Sequence, residues 1–219
     1  MMRKVKILSL LLVALAVSAV AASAALADEF TAEQYPLLVT GSGEPGQVDQ
    51  IILTSGVAAC KKTTYTGTVS APTTTVTVDA TYGECTAFGF PSTVHMNGCQ
   101  YLFHLNGGTS TEGKADLTCP AGKEVTVTSL SAITIKCTLH FPAQSSIGTM
   151  QFTNIGAGPT RELTLAMNLT NIKYSHTKGT GLGACVEGTA TNGTLAAKGV
   201  ITGENHLGTQ HIGIFLSNA

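Results

Sequence analysis

The stretch Asn97–Gly122, NGCQYLFHLNGGTSTEGKADLTCPAG, decides the fold. Its first half alternates Cys99, Tyr101, Phe103 and Leu105 with Gln100, Leu102 and His104. Its second half alternates Ala115, Leu117 and Cys119 with Asp116 and Thr118. Successive strand side chains point to opposite faces, so the pattern predicts two half-buried strands joined across a Gly-rich loop. Both strands carry a cysteine in the apolar phase. A core and a crosslink are therefore specified together.

The same reading extends outward in both directions. Phe30–Pro36 makes either one helical turn, capped by Thr31, or an extended arm, since Pro36 steers Tyr35 away from helix. Leu37–Thr40, Gln47–Thr54, Thr63–Val69 and Thr75–Tyr82 read as strands. Pro120 and Gly122 fit a type I turn that would pair 114–119 with 123–128, setting Leu117 near Val125. Ile133, Ile135, Cys137, Leu139 and Phe141 form the longest clean alternation. Leu163, Leu165, Met167 and Leu169 alternate with Thr and Asn, which selects strand over the competing helix. Asn192-Gly193 carries the chemistry of a type I′ hairpin, and the alternation through Ile212, Ile214 and Leu216 closes the sheet. Short strands with turn residues between them predict an all-β, antiparallel β-sandwich with jelly-roll or Greek-key connections. The segments 63–85 and 147–185 share an order of strand, Pro/Gly break, alternating strand, Tyr and Cys, which hints at two lobes. The expected core is Leu37, Val76, Val78, Tyr101, Phe103, Leu117, Ile133, Ile135, Leu139, Leu165, Met167 and Ile214.

Residues 1–27 read as a secretory signal peptide. Arg3, Lys4 and Lys6 precede an apolar run over Ile7–Val20, and Ala25-Leu26-Ala27 supplies the cleavage site. Cleavage leaves 192 of the 219 residues, 28–219, as a secreted all-β domain that inserts in no membrane. Three of the twelve basic residues leave with the leader and none of the thirteen acids do, so the mature chain carries a net charge of about −4. That balance gives no electrostatic case for nucleic acid. Scarce charge and abundant Thr describe strands whose outer faces are covered without ions.

Cys60, Cys85, Cys99, Cys119, Cys137 and Cys185 all lie in the mature part. An even count in an exported chain reads as disulfides. No C-x-x-C pair exists and the closest spacing is fourteen residues, so a zinc cluster is not expected. The sequential set 60–85, 99–119 and 137–185 is preferred. A rival set joins Cys119 to Cys137.

The string GCQYLFHL…LTCPAGKEVTV…IKCTLHFPAQ, preceded by Tyr82-Gly83-Glu84-Cys85, resembles a group of secreted proteins from soil actinobacteria. The shared pattern is a paired-cysteine strand, a CPAG turn and a later cysteine strand ending in Pro-x-Gln, here Pro142-Ala143-Gln144. The resemblance spans most of residues 30–202. That group carries no assigned activity, so the resemblance implies export and a β-fold and transfers no functional residue.

Candidate chemistry is sparse. His95, His104 and His140 sit in the polar phase of their strands, as solvated side chains do. His206 and His211 lack the further ligands a metal needs. Ser175 and His176 are strand neighbours and point apart, and no G-x-S-x-G is present. Asp79, Glu84, Asp116 and Glu162 are the acids available for a hydrolase. No cofactor is expected. The favoured expectation is a non-catalytic extracellular β-module that binds a polymer or cell-surface component or serves the envelope; the alternative is a small secreted hydrolase with a site on loops. The expected ligand rim is Tyr174, His176 and Lys178, on or beside a Gly-rich loop over residues 175–183, since loops carry binding more often than scaffolds do.

Overall fold

Alternation of β-branched and polar residues drives nearly every segment into strand. The computed structural model describes residues 28–107, 111–130, 135–180, 185 and 187–218, without the side chains of 135, 136 and 218. The strands are β1 (Asp28–Ala32), β2 (Leu37–Gly43), β3 (Asp49–Leu53), β4 (Gly56–Val69), β5 (Thr75–Ala87), β6 (Phe90–His95), β7 (Gln100–Leu105) and β8 (Glu112–Thr118). There follow β9 (Val125–Leu130), β10 (Ile135–Phe141), β11 (Thr149–Ile155), β12 (Glu162–Lys178), β13 (Gly188–Asn205), β14 (His211–Ile212) and β15 (Ile214–Asn218). A 3-10 turn at Gly158–Thr160 is the one helical element among the described residues. No helix there is long and apolar enough to cross a membrane.

All pairings are antiparallel, as expected. Apart from the two-stranded β1–β15 ribbon, they join into one continuous sheet that runs around the molecule. One closed circuit passes β5, β7, β8, β11, β12, β13, β2, β4 and back to β5. A second passes β5, β6, β9, β10, β12, β13, β3, β4 and back to β5. The long strands β4, β5, β12 and β13 belong to both circuits and change one neighbour part-way along. Backbone irregularities mark two of these crossings. Glu84, at φ 52°, and Asn171, at φ 58°, adopt left-handed conformations inside β5 and β12. The two segments whose likeness suggests lobes, 63–85 and 147–185, fall on the antiparallel pairs β4–β5 and β11–β12 of one continuous sheet.

Side-chain amides continue the ladders where the backbone stops. Pro142 ends β10, and the Gln144 side chain then pairs with Lys173: its Nε2 donates to the Lys173 carbonyl at 3.1 Å and its Oε1 accepts the Lys173 N–H at 2.8 Å. The Gln144 backbone meanwhile bonds Leu117 in both directions. Asn154 repeats the device on Leu216, at 2.9 and 2.8 Å. That contact fixes the β1–β15 ribbon over one end of the first circuit, where Phe30 enters against Phe152 with ring centres 5.1 Å apart.

Ten of the expected core residues are described with their side chains. Leu37, Val76, Val78, Phe103, Leu117, Leu139, Leu165, Met167 and Ile214 are buried, and Tyr101 is half-buried. Ile133 and the side chain of Ile135 lie outside the described residues, as does the leader 1–27. The arm at Phe30 is extended, as β1.

Two turn expectations are corrected. Asn192-Gly193 lies within β13, where Gly193 faces Ile172 across the ladder. A Cβ on Gly193 would meet the Ile172 Cβ and carbonyl oxygen at 3.1 Å, so close strand approach explains this glycine. The type I′ geometry falls instead on Asn97-Gly98, with φ of 53° and 83°, closed by the Cys99 N–H on the Met96 carbonyl at 2.8 Å. The CPAG turn closes between Pro120 and Lys123, at 2.9 Å. The strands it joins do not pair with each other: β8 lies between β7 and β11, and β9 lies between β6 and β10.

The disulfides are Cys60–Cys85, Cys99–Cys119 and Cys137–Cys185, the sequential set, with no free cysteine among the described residues.

Candidate functional site

Where the long strands change partners, the two circuits meet at a waist, and polar side chains gather there. Asp49 opens β3 in phase with Ile51 and Leu53, so its carboxylate faces the interior. It is 9% exposed and accepts the Thr63 hydroxyl at 2.5 Å. Tyr82 on β5 and Tyr101 on β7 share a hydrogen bond between hydroxyls, 2.8 Å long. Gln144 completes this belt, its amide spent on Lys173.

Beyond the belt lies an apolar pocket of about 70 Å³. Its walls include Ala58, Val94, Val127, Phe141, Ile172 and the Cys60–Cys85 bridge, with Asp49, Tyr82, Tyr101 and Gln144 at the waist. Ser92 of β6 also lines it, and the Ser92 Oγ is buried without a hydrogen-bond partner. A void of this size admits several water-sized groups.

Burial sets the electrostatics. It raises the Asp49 pKa, partly offset by the Thr63 hydrogen bond. Burial also holds the Tyr65, Tyr82 and Tyr101 hydroxyls above the usual phenol range, and the nearby Asp49 charge adds to the rise on all three. These groups stay neutral, and the pocket offers hydroxyls beside one carboxylate.

Tyr174, His176 and Lys178 lie within β12 and not on a loop. Tyr174 is buried, and its hydroxyl accepts the Thr54 N–H at 2.9 Å. Its ring centre stands 6.2 Å from Phe141 and 6.2 Å from His176. The His176 Nδ1 is buried and unpartnered, while Lys178 is exposed at the strand end. The three form a graded row towards the far end of the second circuit, with the tyrosine committed to the core.

Two of the three polar-phase histidines are more engaged than solvation implies, while His95 is exposed. His104 Nε2 meets Asp116 Oδ2 at 2.9 Å, and Asp116 Oδ1 accepts the Ser146 N–H at 2.7 Å. His140 Nδ1 meets Glu124 Oε1 at 2.6 Å. Asp79 accepts from Gln100 at 3.0 Å, and Glu84 pairs with Lys62. None of these acids lines the waist pocket.

The chain matches no protein-family profile, no curated relative and no solved structure.

Sequence reasoning missed Asp49 and Ser92. The signal for Asp49 was present: an acid in the apolar phase of an Asp49-Ile51-Leu53 alternation. Ser92 likewise sits in phase with Val94.

Proposed function

We propose that this chain is an exported, non-catalytic β-module that binds a small, largely apolar molecule in the waist pocket. The observation that carries the reading is the pocket itself, an apolar chamber whose wall holds a buried hydroxyl with no partner. Concave apolar sites with a few placed polar groups are the usual form of a small-ligand site. Export is supported by the composition of residues 1–27, the full pairing of the described cysteines and the resemblance to secreted β-proteins. Ligand-observed NMR with a panel of four- to six-carbon alcohols and hydrocarbons tests the binding. Binding to the parent and its loss in Val94→Trp, which fills the chamber, are expected. No binding by any panel member, or equal binding by the filled variant, refutes the reading. Intact-mass measurement on secreted protein should give an N-terminus at Asp28.

A second reading places an extracellular polymer on the outer surface. Two shallow hollows of about 260 and 240 Å³ lie side by side over β11–β13 and share Gln151 and Ala166. Thr153, Thr164 and Asn168 offer hydroxyls and an amide along them. Pull-down on insoluble polysaccharides, with retention lost in Gln151→Ala/Asn168→Ala, is the outcome this reading requires.

A further inference from the structure

Asp49 is the one carboxylate on the wall of the waist pocket. Its Oδ2 accepts from Thr63, and its Oδ1, without a hydrogen-bond partner among the described residues, is not fully enclosed. The ion pairs there are Lys62–Glu84, His104–Asp116 and His140–Glu124, so no basic side chain neutralises Asp49. A buried carboxylate without a countercharge is costly, and chains rarely keep one. Asp49 stands at the edge of the apolar chamber, beside two tyrosine hydroxyls that share only one hydrogen bond between them. One hydroxyl hydrogen and several lone pairs of that pair remain uncommitted. The Ser92 Oγ is a buried atom without a partner on the same wall.

We infer that the pocket takes a small organic ammonium ion, with its charged head on Asp49 and its carbon body against the apolar wall. This rests on the pocket reading above and names its ligand class. An ammonium head carries three donors and no acceptor. Asp49 Oδ1 and the lone pairs of Tyr82 and Tyr101 are acceptors in the same belt. The electron-rich tyrosine rings also favour a cation over a neutral group. A divalent metal fits poorly, because calcium and magnesium require several oxygen ligands and the wall supplies one carboxylate. An anion is disfavoured by the same carboxylate. The chamber suits a body of about four or five carbons, given room for several water-sized groups.

The test is calorimetric titration of the oxidised full chain at neutral pH with n-butylammonium and with 1-butanol, which match in shape and differ in charge. The ammonium should bind at least about tenfold more tightly, the size expected of a charge-assisted contact. Asp49→Asn retains an acceptor for Thr63 and should bring the ratio to about one. Asp79→Asn, an exposed control, should leave the ratio intact. Equal or tighter binding of the alcohol overturns the ammonium inference while the pocket reading stands. Binding of neither overturns both. A preference retained in Asp49→Asn overturns the assignment to Asp49. Should that variant fail to fold, the carboxyl carbon resonance of Asp49 in the parent protein decides the matter: n-butylammonium should shift it and 1-butanol should not, and equal shifts refute the inference.

Discussion

In the first circuit, Phe30, Phe103 and Phe152 meet at the centre, with Phe103 and Phe152 ring centres 6.4 Å apart and Tyr65 a further 6.4 Å from Phe103. In the second, the inward positions on several strands fall to Ala58, Val94, Val127 and a disulfide. Backbone closure is alike in both, and four strands are common to both. Side-chain volume therefore decides that one interior is solid and the other holds a chamber. The volume missing from the second circuit coincides with the uncompensated carboxylate, which links hollowness to polarity at the waist.

Changes that sharpen this contrast should differ in size. Phe152→Ala removes the residue that both Phe30 and Phe103 touch, and should cost about 3–5 kcal/mol in denaturant unfolding. A loss under about 1 kcal/mol would mean that the first circuit is not close-packed. Removing the Cys60–Cys85 bridge by paired Ala substitution should cost about 2–4 kcal/mol by the same measurement, since the bridge forms part of the pocket wall and no side chain fills the space beside it. Smaller is the effect of adding volume. Ala115→Val in the first circuit should cost about 1–3 kcal/mol, whereas Ala58→Val on the pocket wall should be neutral or stabilising. Equal costs at the two sites would erase the distinction between them.

The smallest effect concerns pH. Burial raises Asp49, so the folded chain binds its proton at higher pH than the unfolded chain does. Its charged form is destabilising, and stability from this group rises as pH falls from neutral through the folded value. Asp116 behaves oppositely. Burial alone would raise it, but the Ser146 N–H and then His104 outweigh burial and hold it below the usual carboxylate value. Its contribution is present above the ordinary carboxylate value and is lost as pH falls through the lower folded one. Melting temperature against acidic pH should thus change slope in opposite senses in Asp49→Asn and Asp116→Asn. The same sign in both would show that the two carboxylates do not differ in environment.

The strands and crosslinks were legible because period-two alternation is local and each cysteine shared the phase of its apolar neighbours. Partner exchange was not. Nothing near Glu84 or Asn171 announces that a strand will continue beside a different neighbour, because that choice depends on residues far away in sequence. Asn192-Gly193 shows the limit of turn chemistry: the same dipeptide serves a tight turn at Asn97 and a close strand contact at Gly193. Tyr174 and His176 misled as rim residues because the Gly-rich tract suggested a loop from Ser175 onward, whereas β12 continues to Lys178. The site depended on phase, which singles out Asp49, and on inward volume, which emerges only once Ala58 and Val127 are seen to share one interior.

The closed circuits have a further consequence. Among the described residues, each strand from β2 to β13 has a hydrogen-bonded neighbour on both sides over at least part of its length, while the β1–β15 ribbon and the two-residue β14 keep an open flank. An unpaired strand edge is a template on which another copy can add by backbone pairing, the first step of β-aggregation. A protein this rich in strand, with few charges for mutual repulsion, meets that hazard through topology: most of its strand edges are already paired within the chain. Such a molecule can accumulate to high concentration without its sheets propagating from one copy to the next.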